Sequence, residues 1–348
     1  MKSFKNISSF LGLAVIFLSF QNCSFIPFES IQQEEELSFS SLSFTCNEPD
    51  RITEKTVKKL SPEQYRNSIE ALLERALSGA QAQAIVNAAF DSIVIPAEGA
   101  EFSTHDNSIS GIAIQSYFEV ATRVSDAISE DSNVRNQFVS SYINLSDRAN
   151  SCNLNFNAFS TACARAFIAG LGLRAYRRPL YENNDRNEVD EIMMDFDTSD
   201  VTDSVNTVVF RMLLSSYFLN QTYDNDIPVG DREDTYQLNP YSLASKLSYT
   251  YLNTMPDETL LQMAANAAAP DDAFINTAIN HIITNPANRQ ALQQTLGQFT
   301  QEWLHLDSLE LPDSSMSLVQ EVGQNINFDE DLRQAMIDEV RLLVAHNM

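Results

Sequence analysis

The sequence is poor in the residues and patterns that catalytic and metal sites use most. It has four histidines and four cysteines in 348 residues, and no two histidines have the spacing of an H-E-x-x-H motif. The absence of C-x-x-C-H excludes covalent c-type haem, and the absence of C-x-x-C argues against a cysteine zinc site. Neither a G-x-S-x-G elbow nor a glycine-rich phosphate loop occurs. We therefore predict no metal and no cofactor, assign no catalytic residue, and leave open whether the protein is an enzyme.

Positive charge and glycine are also scarce. The 22 lysines and arginines face 47 aspartates and glutamates, which gives a net charge of -25. Such a surface repels nucleic-acid phosphates, so the charge argues against nucleic acid as a partner and favours a basic protein. The chain has nine glycines and no Asn-Gly or Asp-Gly pair of the kind that closes a tight hairpin, which argues against a β fold.

The N-terminus carries an apolar run that is too short to span a membrane. After Lys2 and Lys5, residues 7–20 are mostly apolar. This length fits the core of a signal peptide and falls short of the ~20 residues that a membrane-spanning helix needs. The N-terminus therefore indicates export of the protein.

A cysteine directly follows this apolar run. Its position resembles the lipobox of bacterial lipoproteins, with Phe20 and Asn22 in place of the usual leucine and small residue. We predict a lipoprotein-type signal peptide over residues 1–22, acylation of Cys23, and a lipid-anchored protein in the periplasm or at the outer membrane. The alternative is a signal that is uncleaved or cleaved elsewhere, with Cys23 as an ordinary thiol.

Export also bears on the remaining cysteines, because disulfides persist in oxidising compartments. Cys152 and Cys163 are close in sequence and are the predicted disulfide, worth about 2–3 kcal/mol for a loop this short. If Cys23 is acylated, Cys46 is left unpaired. The segment 23–50 is acidic and rich in serine, so it is predicted to be a tether between the lipid and the folded body.

Helical periodicity dominates the rest of the chain. Ser61 and Gln64 form a predicted capping box with Pro62 at the first helical position, and an apolar stripe follows them. Comparable stripes cover 81–92, 112–128, 159–173, 186–196, 203–222, 240–252, 257–267, 271–284, 287–306 and 328–346. The predicted fold is all-α and multi-helical, with two or three packed helical subdomains. The Asp-rich loop 224–234 lacks the ligand order of an EF-hand and is predicted to be a solvated linker.

Three stretches resemble the planctomycete-specific domains, a group of domains of unknown function. Residues 60–69, L-S-P-E-Q-Y-R-N-S-I, are similar to the opening of the third such domain. The C-A-R at 163–165 and the A-Y-R-R-P-L at 175–180 resemble the fifth domain. The segments 243–258 and 299–307 are similar to the fourth. The motif residues are Tyr65, Asn67, Arg177, Arg178, Pro179, Asn253, Pro256, Asp257 and Trp303.

The resemblance implies an order of domains and a class of partner. It places helical domains at 51–148, 149–223 and 224–348. Proteins of this group commonly continue into two further domains, so the chain is expected to be a truncated or a short member. They are exported and often occur beside cytochrome c modules, which implies a c-type cytochrome as a candidate partner.

Several motif residues have a structural interpretation. Asn253 is expected to close a helix in the left-handed conformation, Pro256 to open the next helix, and Asp257 to favour its positive N-terminal end. Arg177 and Arg178 are expected to bind helix-terminal carbonyls or to pair with acidic residues of a neighbouring helix, with an anion-binding site as the alternative.

Three functional hypotheses remain from the sequence. The leading one is a non-catalytic binding or scaffolding module of the cell envelope with a protein partner. The second is an accessory to a c-type cytochrome or an oxidative enzyme in periplasmic electron transfer, a hypothesis that rests on the resemblance. The third is an envelope hydrolase, for which the sequence offers no nucleophile or base.

Overall fold

The computed structural model describes residues 58–96, 110–182, 186–221, 227–228, 236–308 and 330–346. The predicted signal peptide, the tether, Cys23 and Cys46 lie outside these residues, as does most of the Asp-rich loop 224–234. The described residues all belong to one compact unit. The predicted boundaries between helical domains at 148/149 and 223/224 stay predictions.

Thirteen α-helices occur in the described part of the chain, and the all-α prediction is confirmed. The helices of the first two thirds are α1 (Pro62–Glu74), α2 (Gly79–Phe90), α3 (Gly111–Glu130), α4 (Ser132–Leu145), α5 (Thr161–Ala175), α6 (Glu188–Met193), α7 (Val201–Leu213) and α8 (Ser216–Leu219). The later helices are α9 (Pro240–Leu252), α10 (Glu258–Asn266), α11 (Asp272–Thr284), α12 (Arg289–Trp303) and α13 (Glu330–His346).

The strands are short and antiparallel. Strand β1 (Lys58–Lys59) pairs with β2 (Asn220–Gln221), with Lys58 opposite Gln221. Strand β3 (Ile227–Pro228) pairs with β4 (Tyr236–Gln237). The first pair joins the chain just before α1 to the residues that follow α8.

Polar caps explain where most helices begin. Ser61 accepts a hydrogen bond from the backbone N–H of Gln64, whose side chain accepts one from the Ser61 N–H, so the predicted capping box is confirmed. Helix α10 begins two residues later than expected. Pro256 lies before the helix, and Asp257 is the N-cap, which accepts from the Leu260 N–H at 2.8 Å.

The apolar periodicity did not predict one helix, and it predicted one continuous helix where the structure has two. Helix α4 has a largely polar sequence, S-N-V-R-N-Q-F-V-S-S-Y-I-N-L, with serine, asparagine and β-branched residues that favour helices weakly. It forms because Asp131 caps it and its apolar residues, including Phe138 and Tyr142, are buried. The predicted helix 203–222 is instead divided into α7 and α8, because Ser215 caps a new short helix.

Helices α4 and α5 approach each other closely, and a glycine permits this. A Cβ atom placed on Gly170 of α5 would lie 2.8 Å from the carbonyl carbon of Tyr142, and closer still to its oxygen. Backbone therefore packs directly on backbone at this crossing. The Cys152–Cys163 disulfide is present and ties the loop before α5 to the first turn of that helix, so this predicted pair is confirmed.

The last two helices pack together at the C-terminal end of the described chain. Gly297 of α12 faces the side chain of Arg341 of α13. Trp303, a motif residue, is half-buried at the end of α12 with its ring stacked on Phe299, the two centroids 6.2 Å apart. Within the described ranges, no helix has both the length and the apolar character needed to cross a membrane.

Candidate functional site

Motif residues from all three stretches meet in a buried polar cluster, which we call the junction. Tyr249 of α9 lies at its centre, with its hydroxyl 2.9 Å from the Ser68 hydroxyl of α1 and 3.3 Å from Nη1 of Arg177. All three side chains are buried. Because the polar groups satisfy one another across three distant parts of the chain, the junction fixes their relative positions.

Arg177 binds carbonyl groups at the end of α8. Its backbone is left-handed, with a φ of 58°, and its guanidinium donates to the carbonyl oxygens of Tyr217, Phe218 and Asn220. A cation is stabilised at the C-terminal end of a helix, where carbonyl groups lack intrahelical partners. The expected binding of helix-terminal carbonyls is therefore confirmed for Arg177.

Arg178 forms the other expected interaction, an ion pair with a neighbouring helix. Its Nη1 and Nη2 donate to the two carboxylate oxygens of Glu188 in α6, at 2.8 and 3.1 Å. The guanidinium also lies 4.0 Å from the ring centroid of Tyr181. Burial by itself would raise the pKa of Glu188, but hydrogen bonds from Arg178 and the Tyr181 N–H outweigh it and hold that pKa below its ordinary value. The pair is internal, and its carboxylate already occupies the place that a bound anion would take.

The remaining contacts join the first and third motif stretches. Asn67 donates to the carbonyl oxygen of Asn253 at 3.1 Å, and the Thr254 hydroxyl donates back to the Asn67 carbonyl at 3.2 Å. Asn253 has a φ of 55°, so its expected left-handed closure of α9 is confirmed. Buried Arg174 donates to the Pro256 carbonyl, and its burial lowers its pKa.

Tyr65 has a different role from the other motif residues. Its ring is fully buried and makes edge contacts with Tyr117 at 4.8 Å and Phe218 at 5.6 Å between centroids. Burial, and secondarily the nearby Tyr117, raise the pKa of Tyr65. Tyr65 is thus a packing residue of the core, and Trp303 at the end of α12 stacks its ring on Phe299.

A cleft of about 590 Å³ opens beside the junction, between α5 and α10. It is lined by Leu145, Ser146, Asp147, Ala169, Leu173, Pro179, Leu180, Glu182, Tyr241, Glu258, Leu261, Gln262 and Ala265. Its size falls in the range of about 300–1,000 Å³ typical of ligand sites. The motif residue Pro179 is on one wall, and Glu258, which follows the motif residues Pro256 and Asp257, is on the other. The motif stretches therefore form part of the cleft walls and supply one of its carboxylates, Glu258.

The charged side chains among the described residues that line the cleft are all acidic. They are the three carboxylates of Asp147, Glu182 and Glu258, with neither lysine nor arginine. Most of the remaining lining residues are leucines and alanines. A negative charge beside apolar walls favours cationic, partly apolar ligands.

The described lining of the cleft contains no histidine, cysteine or lysine. Nε2 of His281 lies 2.7 Å from Oδ2 of Asp257, whose other carboxylate oxygen caps α10. This pair holds α11 against the start of α10. Within the described part of the chain, no three histidine, cysteine, aspartate or glutamate side chains converge on a point that suits a metal ion.

Comparison with known proteins identifies one domain. Residues 238–348 match a family described as "PSD4: Protein of unknown function (DUF1592)". The match includes α9 and α10, and hence one wall of the cleft. No curated protein matches the chain. No solved structure matches it either.

Sequence reasoning missed three of the residues that matter most. All three, Ser68, Tyr249 and Arg174, lie inside or next to the motif stretches. Nothing in their spacing indicated that Ser68 would contact Tyr249 or that Arg174 would contact the Pro256 carbonyl. Among the cleft carboxylates, Glu258 belongs to a motif stretch, whereas Asp147 and Glu182 carried no signal, because 47 acidic residues are spread along the chain.

Proposed function

We propose that this protein is an exported, lipid-anchored binding or scaffolding module of the cell envelope whose partner is a basic protein. The observation that carries the proposal is the cleft, whose described lining residues include three carboxylates beside apolar walls and neither lysine nor arginine. A basic segment with apolar side chains matches both features, because burial of apolar surface supplies affinity and the carboxylates supply selectivity for charge.

The internal roles of the motif residues support a scaffold. Arg177, Arg178 and Asn67 direct side-chain donors to groups inside the protein, and Asn253 contributes its backbone carbonyl to the same contacts. Such contacts position α5, α8 and α9 relative to one another, and so keep the walls of the cleft in place. We infer that the motifs serve the architecture and that binding is left to the surface.

The disulfide supports export. Cys163 is fully buried, and the pair with Cys152 closes the loop that leads into α5. Structural disulfides of this kind occur mainly in proteins that fold in oxidising compartments. Acylation at Cys23 is the proposed means by which the folded body stays at the membrane.

A second candidate function is docking of a basic electron-transfer protein such as a c-type cytochrome. It is favoured by an acidic edge formed by α6 and the start of α7. Six exposed carboxylates lie within this stretch of sequence, together with Met194, a residue that is 79% exposed. The six are Asp190, Glu191, Asp195, Asp197, Asp200 and Asp203. Two of them are paired with arginines, Asp190 with Arg165 and Asp195 with Arg211.

The test is co-purification at native abundance in mild detergent, followed by elution in high salt and mass spectrometry. Two double variants remove the same charge: Asp147→Asn with Glu182→Gln in the cleft, and Glu191→Gln with Asp203→Asn on the acidic edge. Loss of a basic partner from the cleft variant alone is the expected result. Loss from the edge variant alone, with haem absorption in the eluate, would favour the second candidate. If the parent protein and both variants are each purified as a monomer without a partner, the proposal is refuted.

A further inference from the structure

We propose that the cleft recognises a peptide segment with one cationic side chain flanked by apolar ones, and that Asp147 is the residue that selects the cation. This inference rests on the proposed function, since it names the chemistry of the segment that the partner would insert. It follows from the state of the three carboxylates that line the cleft.

Two of these carboxylates already have cationic partners within the protein. Glu182 forms an ion pair with Arg148, and Glu258 forms one with Arg75. The two arginine side chains are 33% and 24% exposed, so both pairs lie partly out of solvent. A ligand cation that approached Glu182 or Glu258 would have to displace an arginine that is already in place, and would gain little by doing so.

Asp147 is the exception. It is exposed and accepts a hydrogen bond from the Ser146 hydroxyl at 3.4 Å. It makes no ion pair with any described residue of the chain. With the other two charges balanced, the cleft has one uncompensated negative charge, which suits one lysine or arginine.

The walls near Asp147 determine what should flank that cation. Leu145 precedes it by two residues, and Leu173, Leu180 and Leu261 line the same cleft. A lysine can lay its aliphatic stem along such a surface while its ammonium group remains at the carboxylate. Neighbouring leucine-sized side chains would then fill the apolar walls. The cleft volume of about 590 Å³ accommodates a segment of a few residues.

The test uses three synthetic probes with the full-length protein in mild detergent. They are the acetylated tripeptide amides Leu-Lys-Leu, Leu-Gln-Leu and Ser-Lys-Ser, titrated while backbone amide resonances are followed by NMR. We expect Leu-Lys-Leu to give saturable shifts at Leu180, Leu261 and Gln262, with the other two peptides binding more weakly. The variant Asp147→Asn should weaken Leu-Lys-Leu by about two- to fivefold and abolish its preference over Leu-Gln-Leu, as expected for one exposed ion pair.

The control is Asp272→Asn, which removes the same charge from an exposed position in the first turn of α11, outside the cleft. It should leave binding of all three peptides unchanged, and thermal melts of both variants should match the parent protein. Equal affinity for Leu-Lys-Leu and Leu-Gln-Leu, or no effect of Asp147→Asn, would overturn the inference.

The inference and the proposed function fail separately. If the cleft binds Leu-Lys-Leu through Asp147 but no protein co-purifies at native abundance, the proposed partner is refuted and the recognition chemistry stands. If a basic protein co-purifies but the peptides do not bind to the cleft, the partner binds elsewhere and only the inference fails.

Discussion

Substitution of Gly170 by alanine should be among the most destabilising changes of its size in this protein. The new Cβ would lie 2.8 Å from the carbonyl carbon of Tyr142 and nearer to its oxygen, a separation that real Cβ atoms essentially never show. Both atoms belong to backbone, so no side chain can rotate away. Helices α4 and α5 would have to separate by about 1 Å, and overpacking of this kind costs about 1–3 kcal/mol, sometimes more.

A compensating gain must be subtracted from this cost. Alanine in a helix interior is favoured over glycine by about 1 kcal/mol. The clash is severe and involves backbone, so we expect its cost to lie at the upper end of the range, and a net loss of roughly 2 kcal/mol or more in the free energy of unfolding. Urea denaturation followed by circular dichroism measures this loss as a shift of the unfolding midpoint.

Gly111→Ala provides the matched control. It makes the same chemical change at the start of α3, where a Cβ would meet nothing within 4 Å. The stability of this variant should be unchanged or slightly higher. If Gly170→Ala is as stable as Gly111→Ala, then α4 and α5 do not cross as the structure has them, and the reasoning is wrong.

Other predictions follow from the junction and its surroundings. Glu188→Gln should cost about 3–5 kcal/mol, because it leaves Arg178 buried without its carboxylate, and replacing both residues by apolar ones of similar size should cost less. The native protein should also lose stability in acid, because folding lowers the pKa of Glu188 below its ordinary value of 4.5. The ion pair therefore contributes fully to the free energy of unfolding above pH 4.5, and this contribution declines as the pH falls through the pKa that Glu188 has in the folded protein. Asn253→Gly should leave the unfolding free energy nearly unchanged, whereas Asn253→Val should lower it by about 1–2 kcal/mol, because a β-branched residue resists a positive φ. Chemical denaturation of each variant, and of the native protein at a series of pH values, measures these changes.

Local chemistry made much of the helical framework predictable. The capping box at Ser61 and the left-handed closure at Asn253 follow from residue types at fixed positions. Helix α4 was not predicted from the sequence, because its residues are largely polar and its helical state depends on burial against α5, which is a tertiary effect. The break before α8 depends on a single capping serine, Ser215, within an otherwise continuous apolar pattern.

The site was less predictable than the fold for a physical reason. The hydrogen bond between Ser68 and Tyr249 joins residues 181 positions apart, and a single sequence contains no signal of such a pair. Arg177 and Arg178 were identified as structural, yet which carbonyls and which carboxylate they would meet required the packed helices. The cleft is formed by common residue types, and only their arrangement distinguishes Asp147 from the other exposed acids.

The most direct test of the proposed function is site-specific photo-cross-linking in the native envelope. A photoreactive residue at Gln262, which lines the cleft, should become covalently joined to a basic protein, while the same residue at exposed Asn276 of α11, outside the cleft, should not. Addition of Asp147→Asn should reduce the cross-link from Gln262. Cross-linking from Asn276 but not from Gln262, or from neither position, would contradict a partner-binding role for the cleft.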